Sequence, residues 1–325
     1  MSKLVVSVLA LLGVAVSGAF AAEPLTLDVK IPLGDVAGRI DHLAIDLRRQ
    51  TLFVAELGND TVGVVDLGQR QLRHRITGLK EPQGVAYAET ADLLYVANAG
   101  DGTVRWYRAA DFALVGTLKL GSDADNLRVD RSSGDVVAGY GTGALAVLDA
   151  GTGRKKADIR LPAHPESFQL ASDGRVFINV PDARQVAVVD RAAGRQVAHW
   201  GIEAAGNFPM ALDEAGQRLI VAYRSPATLA IFDTAKGSPI ASFRTCDDAD
   251  DVFVDARRRR IYVSCGEGVL AVIQQDGTGY RDVARIKTSS GARTSLFVPE
   301  LDRLFLAVRT RGREPAAIWI YRPEL

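Results

Sequence analysis

The chain has 325 residues, of which 47% are hydrophobic, and its 39 lysines and arginines balance its 39 aspartates and glutamates. An apolar fraction of this size supports a buried core, and it excludes a disordered chain. A formal charge of zero argues against a nucleic-acid-binding protein that relies on a basic surface. The 31 glycines and many short β-branched runs favour an all-β chain that forms one domain.

The first segment has the pattern of a secretory signal peptide. Lys3 precedes an apolar run at 4–16, and the small residues around Ala21 suit a signal peptidase. The run is shorter than the roughly 20 apolar residues of a transmembrane helix. We therefore expect cleavage of residues 1–21, a single domain over 22–325, and a periplasmic or secreted monomer without a membrane span.

A repeat follows along the rest of the chain. Seven similar apolar runs recur at intervals of 41 to 47 residues, and they end at Asp66, Arg108, Asp149, Asp190, Asp233, Gln274 and Tyr321. A second apolar run precedes each of them across a turn, as 52–56 does in the first unit. A third run lies before this pair, at 42–46 in the first unit, and a more polar one follows it, at 71–78. Four antiparallel strands per unit predict an all-β fold, a seven-bladed β-propeller with four-stranded blades.

The two ends of the repeat predict how the ring closes. The seventh unit ends after its third strand at Tyr321, whereas an extra strand at 25–33 lies ahead of the first unit. We expect this N-terminal strand to complete the last blade, which removes an open sheet edge. A β-sandwich with many strands is the alternative, but it does not predict a regular interval.

Two segments resemble a known repeat. LYVANAGDGTV (94–104) and IYVSCGEG (261–268) are similar to the Tyr-Val-Thr-Asn repeat of the YVTN β-propellers, with Ala97 and Ser264 in place of the threonine. Over residues 25–325 the chain resembles the YncE-like periplasmic branch of that family. The resemblance implies a propeller and leaves the function open, because related propellers include lactonase-like hydrolases, ligand-binding proteins and DNA-associated proteins.

The loops that lead into the first strand of each unit should meet around one end of the central channel, which we call the mouth. The residues predicted to line or border it are Asp41, His42, Asp125, Asn126, His164, Glu166, Asp250, Asp251 and Arg293. With Arg39 and Arg293 as the only nearby cations, we expect an acidic mouth. Four carboxylates are candidate ligands of a divalent cation such as Ca²⁺, namely Asp41, Asp125, Glu166 and Asp250. Hydrated turns are the alternative interpretation.

His42 is the candidate catalytic residue. If Asp41 or Asp251 holds its imidazole, His42 can act as a general base, and an ordinary turn histidine is the alternative. His164 is expected nearly opposite in the ring, so the two histidines can touch one ligand but hardly one zinc ion, which needs three or four ligands. The sequence contains no haem-attachment, nucleophile-elbow or phosphate-loop motif.

Three functions follow from these patterns. The first is a non-catalytic module that binds a small ligand or a periplasmic protein partner at the mouth. The second, implied by the resemblance, is a lactonase-like hydrolase that uses a channel-bound divalent cation as a Lewis acid. The third, suggested by the resemblance alone, is single-stranded DNA binding, which the neutral charge disfavours. Its candidate stacking residues are Trp106, Tyr107, Trp200 and Trp319, of which the first and last fit core positions better.

The sixth unit contains the only two cysteines. Cys246 lies in the loop before its first strand and Cys265 at the end of its second, and antiparallel pairing brings these two ends to the same face. We expect a disulfide in an oxidising compartment, with two buried thiols as the alternative.

The same unit carries an arginine run at 257–260, between its first two strands and on the face opposite the mouth. We interpret this run as a solvated turn, with a docking patch for an acidic partner as the alternative.

Overall fold

A computed structural model describes residues 23–277 and 279–325. The predicted signal peptide at 1–21 lies outside these residues. The described chain forms 28 β-strands and two short 3₁₀ helices, Leu57–Asn59 and Pro181–Ala183. Neither of these helices is long and apolar enough to cross a membrane.

Seven four-stranded sheets form the blades of a propeller, as the repeat predicts. Blade 1 contains β2 (Leu43–Asp46), β3 (Thr51–Glu56), β4 (Thr61–Asp66) and β5 (Gln71–Ile76). Blade 2 contains β6 (Pro82–Ala88), β7 (Leu93–Asn98), β8 (Thr103–Arg108) and β9 (Leu114–Lys119). Blade 3 contains β10 (Ala124–Val129), β11 (Val136–Tyr140), β12 (Ala144–Leu148) and β13 (Lys155–Arg160).

The remaining blades repeat this order. Blade 4 contains β14 (Phe168–Leu170), β15 (Arg175–Val180), β16 (Gln185–Asp190) and β17 (Arg195–Gly201). Blade 5 contains β18 (Ala205–Asp213), β19 (Arg218–Ser225), β20 (Ala227–Asp233) and β21 (Pro239–Arg244). Blade 6 contains β22 (Ala249–Asp255), β23 (Arg260–Cys265), β24 (Val269–Asp276) and β25 (Gly279–Lys287). Blade 7 contains β26 (Ser295–Val298), β27 (Arg303–Val308), β28 (Ala316–Pro323) and the N-terminal β1 (Leu25–Gly34).

The core lies between the blades. The first strands of neighbouring blades contact one another around the channel, so they are the innermost strands. The second strands are buried along their length, as in β7, because both of their faces pack on neighbouring blades. In the contact between blades 1 and 2, for example, Phe53 and Val64 belong to one cluster with Leu94 and Val96.

The N-terminal strand closes the ring, which confirms the prediction. β1 pairs antiparallel with β28, with Leu25 opposite Pro323 and Gly34 opposite Ala316. It is therefore the outer strand of blade 7, and it also contacts β5, the outer strand of blade 1. This pairing covers the edge of β28 that would otherwise be free to join another chain.

The arginine run of blade 6 is not a solvated turn, so that interpretation was wrong for two of its members. The Arg258 side chain is 6% exposed and pairs with Asp255 at 3.0 Å and with Asp302 at 2.7 Å. It also donates hydrogen bonds to two carbonyl oxygens of the C-terminal segment, those of Pro323 and Glu324. Arg260 donates to the carbonyl oxygens of Glu324 and Pro24. The two arginines thus hold both chain ends against blade 6.

Cys246 and Cys265 form a disulfide, which confirms the predicted pairing. Their Cα atoms are 5.9 Å apart, within the range that a disulfide spans. Cys265 ends β23 and lies opposite Ala249 in the hairpin with β22. Both cysteines are buried in the core between blades 5 and 6. The bond ties the loop before β22 to the mouth end of β23.

The aromatic residues considered for base stacking are packed inside the fold. Trp106 and Trp319 are each 7% exposed, and Tyr107 is 5% exposed. Trp200 lies between two phenylalanine rings, with centroid distances of 5.3 and 5.6 Å. The core positions expected for Trp106 and Trp319 are therefore confirmed, and the interpretation of Tyr107 as an exposed stacking residue was wrong. Trp200 is partly buried and packs between its two aromatic neighbours.

Candidate functional site

The mouth is built from residues that precede or begin the innermost strands. Since each blade contributes its own residues, side chains far apart in the sequence converge on the channel axis. They enclose the mouth pocket, which has about 20 Å³ of open space, room for one or two water molecules or a small ion. Its lining consists of Arg39, Asp41, His42, Gln83, Asp125, Asn126, Glu166, Ser167, Phe208 and Asp250.

Asp41 is buried and held by an arginine. Its side chain is 3% exposed, and Nη2 of Arg39 donates to its Oδ2 at 2.5 Å. Burial raises the pKa of Asp41 to about 6, although the Arg39 charge opposes this shift. The carboxyl group is therefore ionised at neutral pH and takes up a proton in mildly acidic solution.

His42 lies beside Asp41, with 3.6 Å between its Nε2 and the Oδ1 of that carboxylate. Burial lowers the pKa of His42 to about 4, although the charge of Asp125 opposes this shift. The imidazole is therefore neutral at pH 7 and can accept a proton. Asp251, the other residue expected to hold His42, instead accepts a hydrogen bond from the backbone N–H of Ser295 at 2.7 Å.

Asp250 belongs to a network of two carboxylates and two arginines. Arg224 Nη2 contacts its Oδ1, and Arg293 Nε lies 2.9 Å from its Oδ2. The same arginines bind Asp248 at 3.2 and 2.7 Å. Burial raises the pKa of Asp250, and the Arg293 charge opposes the shift. The expectation that Arg39 and Arg293 are the only cations near the mouth was wrong, because Arg224 reaches it from β19.

Asp125 has a buried oxygen without a partner. The residue is 6% exposed, and its Oδ1 accepts no hydrogen bond from the part of the chain that the structure describes. Its Oδ2 lies 3.8 Å from Nε2 of His164, and Nδ1 of that imidazole lies 2.6 Å from the Gly141 carbonyl oxygen. Burial lowers the pKa of His164, but these contacts and the charge of Asp123 outweigh burial and raise the pKa to about 9. An unmatched buried acceptor costs about 1–3 kcal/mol, which a donor from a ligand can recover.

Glu166, like Asp125, is an acid of the mouth pocket without a lysine or arginine partner among the described residues. Within residues 23–277 and 279–325, no lysine or arginine nitrogen forms an ion pair within 4.0 Å of its carboxyl group. Burial raises the pKa of Glu166 to about 8, with a further increase from the charge of Asp125 and a decrease from His164. The carboxyl group therefore exchanges its proton near physiological pH.

Beyond the mouth pocket the channel widens into a chamber of about 470 Å³. Its lining includes His42, which also lines the mouth pocket, and continues along the innermost strands to their far ends, as at Pro299. Arg128, Arg131 and Asp251 supply charged groups to the chamber wall, and most other lining side chains are apolar. Arg128 lies two residues after Asn126 on β10, and its Nη1 donates to Asn126 Oδ1 at 3.0 Å.

The structure brings most of the predicted mouth residues together. Six of them line the mouth pocket: Asp41, His42, Asp125, Asn126, Glu166 and Asp250. His164 and Arg293 contact this set from outside, and Asp251 lines the chamber. Sequence reasoning missed Arg224 and Arg128. Two signals could have revealed them. Arg224 is a charged residue that extends an apolar second strand, and Arg128 is a charged residue that interrupts an innermost strand.

The four proposed metal ligands differ in whether an arginine side chain already binds them. Among the described residues there is no group of three or more His, Cys, Asp and Glu side chains arranged to hold a metal ion. Asp41 and Asp250 bind arginines, whereas Asp125 and Glu166 line the pocket without a lysine or arginine partner from the described ranges. The metal site stays a prediction, and these last two residues are its strongest candidate ligands.

Fold and site together define a seven-bladed β-propeller with several carboxyl groups at its channel mouth. No protein-family model and no curated protein sequence matches the chain. A chain of the hydrazine synthase of Kuenenia stuttgartiensis is similar in structure, with a TM-score of 0.75 at 17% sequence identity, over 83% of this chain and 93% of that chain. A chain of the mitotic checkpoint complex gives a TM-score of 0.78 at 13% identity, over 95% of this chain and 98% of that chain. At these identities the likeness shows the fold alone.

Proposed function

We propose that this protein is a non-catalytic binding propeller whose mouth pocket receives a positively charged group of a ligand or protein partner. The observation that carries the proposal is the buried Oδ1 of Asp125, which has no donor in the described chain. Glu166 lines the same pocket, and neither carboxyl group has a lysine or arginine partner among the described residues. A buried acceptor that lacks a donor favours a ligand group that donates hydrogen bonds.

The size of the pocket restricts the ligand. About 20 Å³ of open space accommodates one ammonium group or one cation such as Ca²⁺, but not a whole small molecule. The remainder of a larger ligand therefore lies outside the ring, against the loops around the mouth. A primary amine and a lysine side chain of a periplasmic protein both meet these requirements.

We also infer that the protein acts outside the cytoplasm. The buried disulfide of blade 6 supports an oxidising compartment, and the signal-like pattern of residues 1–21 supports export. The likeness of 94–104 and 261–268 to YVTN repeats supports membership of the YncE-like periplasmic branch. N-terminal sequencing of protein from the periplasm tests the location. A chain that begins near Ala22 is expected, and a chain that keeps residues 1–21 contradicts export by cleavage.

Isothermal titration calorimetry with calcium chloride and, separately, with n-butylammonium chloride tests the mouth pocket. At a pH above the pKa of Glu166, we expect one of these probes to bind with a stoichiometry of one. Asp125→Asn and Glu166→Gln should each weaken binding by about tenfold, because each removes a charge-assisted contact. Glu89→Gln, in an exposed turn after β6, is the matched control and should bind as the wild type does. Absence of binding by both probes, or unchanged affinity in both variants, contradicts the proposal.

The pair of His42 and Asp41 favours a second function, a lactonase-like hydrolase. The 3.6 Å separation and the neutral imidazole suit a general base that activates water, and a divalent cation would polarise the lactone carbonyl. Hydrolysis of δ-valerolactone in the presence of calcium or of EDTA decides between the two functions. Calcium-dependent turnover that His42→Gln abolishes and Glu89→Gln preserves supports the hydrolase. Equal background rates in all three proteins contradict it.

A further inference from the structure

The chamber has the size and the wall of a small-molecule site. Its volume of about 470 Å³ falls in the range of ligand pockets. Apolar side chains of several blades form the wall, among them Ile45, Val129, Met210, Leu212 and Phe253. All but Met210 are only partly buried, so they leave apolar surface in contact with the chamber.

Arg128 is the partly buried cation of this chamber, whereas Arg131 lies exposed at its edge. The hydrogen-bonding capacity of Arg128 is not exhausted. One of its terminal nitrogens, Nη1, donates to Asn126 Oδ1 at 3.0 Å and to the Leu127 carbonyl oxygen at 2.8 Å. The guanidinium also lies 5.7 Å from the ring centroid of Phe168. Within the described ranges no carboxylate forms an ion pair with it inside 4.0 Å. Its remaining N–H groups, on Nε and Nη2, are therefore available to a ligand in the chamber.

The contacts around Arg128 leave its charge without an ion-pair partner in the chamber. Asp251, the carboxylate on the chamber wall, accepts a hydrogen bond from the backbone N–H of Ser295 at 2.7 Å, and within the described ranges it forms no ion pair with Arg128 inside 4.0 Å. A partly buried guanidinium without such a partner favours an anion that binds beside it.

We infer that the chamber binds a small amphipathic carboxylate, with its carboxylate on Arg128 and its apolar body along the chamber wall. A planar guanidinium matches a carboxylate in geometry and charge. The apolar side chains on the wall favour an anion with an apolar body over a purely hydrophilic one, because only the former buries apolar surface there. This site lies beyond the mouth pocket in the channel and binds the opposite charge, so it does not depend on the proposed mouth ligand.

Calorimetric titration with butanoate, hexanoate, octanoate and decanoate tests this inference. We expect one binding site and a fall in Kd of roughly fourfold for each added methylene until the chamber is filled. Octanoate should bind about tenfold more tightly than octanol, because it adds a charge-assisted pair. Octylammonium should bind more weakly than octanol. These comparisons use the unaltered protein, and octylammonium binding as tightly as octanoate overturns the inference, as does absence of octanoate binding.

Variants locate the site. Arg128→Gln should weaken octanoate binding by about tenfold and leave octanol binding unchanged, because only the charge-assisted pair is lost. Arg108→Gln is the matched control, since this exposed arginine at the end of β8 lies outside the lining of the chamber, and it should change octanoate binding less than twofold. Leu212→Trp narrows the chamber without altering Arg128, so it should weaken octanoate and octanol alike. Octanoate affinity that survives both Arg128→Gln and Leu212→Trp places the ligand elsewhere and overturns the assignment.

Discussion

Three ionisable side chains near the mouth show how burial and neighbouring charge act on single residues. Burial raises the pKa of Glu166 to about 8, and it lowers the pKa of His42 to about 4. For His164 burial acts in the same direction as for His42, but contacts with Asp125 and other acceptors outweigh it and give a pKa of about 9. The protonation of the mouth therefore changes between neutral and mildly alkaline pH.

We predict that the free energy of unfolding falls as the pH rises from about 6.5 to about 8. In this range folded Glu166 keeps a proton that the unfolded chain has lost, since its pKa rises from 4.5 to about 8 on folding. Folded His164 likewise keeps a proton above pH 6.5, since 6.5 is the pKa of its imidazole in the unfolded chain. A folded state that binds more protons loses stability as the pH increases. His42 acts in the opposite sense, but only between pH 4 and 6.5.

Urea unfolding at a series of pH values measures the slope of the free energy of unfolding against pH. Glu166→Gln should flatten it between pH 6.5 and 8, by at most about 1.4 kcal/mol per pH unit, the limit for one proton. Glu89→Gln, in the exposed turn, should retain the wild-type slope. A slope that is the same in both variants would show that Glu166 titrates as an ordinary surface acid.

At the scale of the elements, the repeat predicted the strands closely because their apolar pattern is local. β4 has its predicted last residue, and β3, Thr51–Glu56, differs from the predicted 52–56 by one residue at its start. β18 departs from the other first strands because it begins early, at Ala205, where Asn207 pairs with Tyr223 ahead of a bulge. A bulge depends on the partner strand, so the pattern of one strand does not contain it.

The candidate site could be predicted only in part. Strand order alone places Asp41, Glu166 and Asp250 at one end of the channel, because every blade begins its first strand there. The pairing of Asp250 with Arg224 and Arg293 joins residues of three blades. Such contacts depend on side-chain positions in the assembled ring, which hydrophobic periodicity does not encode. The same reason explains why the buried, unpartnered Oδ1 of Asp125 was not anticipated.

The disulfide should stabilise blade 6 because it restricts the unfolded chain between its two cysteines. We predict that replacing Cys246 and Cys265 together with alanine lowers the free energy of unfolding by about 3 kcal/mol, the chain-entropy value for a separation of 19 residues. Guanidinium unfolding of the double variant measures this loss, and wild-type protein kept in dithiothreitol should show a similar one. Two free thiols in denatured, unreduced protein would contradict the bond. A double variant as stable as the wild type would contradict its contribution.

At the scale of the whole molecule, one ring presents two different environments along its channel. The mouth pocket contains two carboxyl groups, those of Asp125 and Glu166, without a lysine or arginine partner among the described residues, whereas the chamber contains arginine side chains and a wall of mixed polarity. His42 lines both spaces. Because β1 and β28 close the ring, the geometry of both sites depends on the contacts that hold the two chain ends.

Arg258 makes the contacts that decide this closure. It pairs with Asp255, which is 2% exposed, and donates to the backbone beyond β28. We predict that Arg258→Met destabilises the protein by about 3 kcal/mol, because it removes the ion-pair partner of a buried carboxylate, which then keeps only hydrogen bonds such as that from Tyr262 Oη. Amide hydrogen exchange in β1 should accelerate with it, since closure is weakened. Arg257→Met removes the neighbouring arginine, whose side chain is 70% exposed, and should cost less than about 1 kcal/mol. Equal unfolding midpoints for the two variants, with unchanged exchange in β1, would show that strand pairing alone closes the ring.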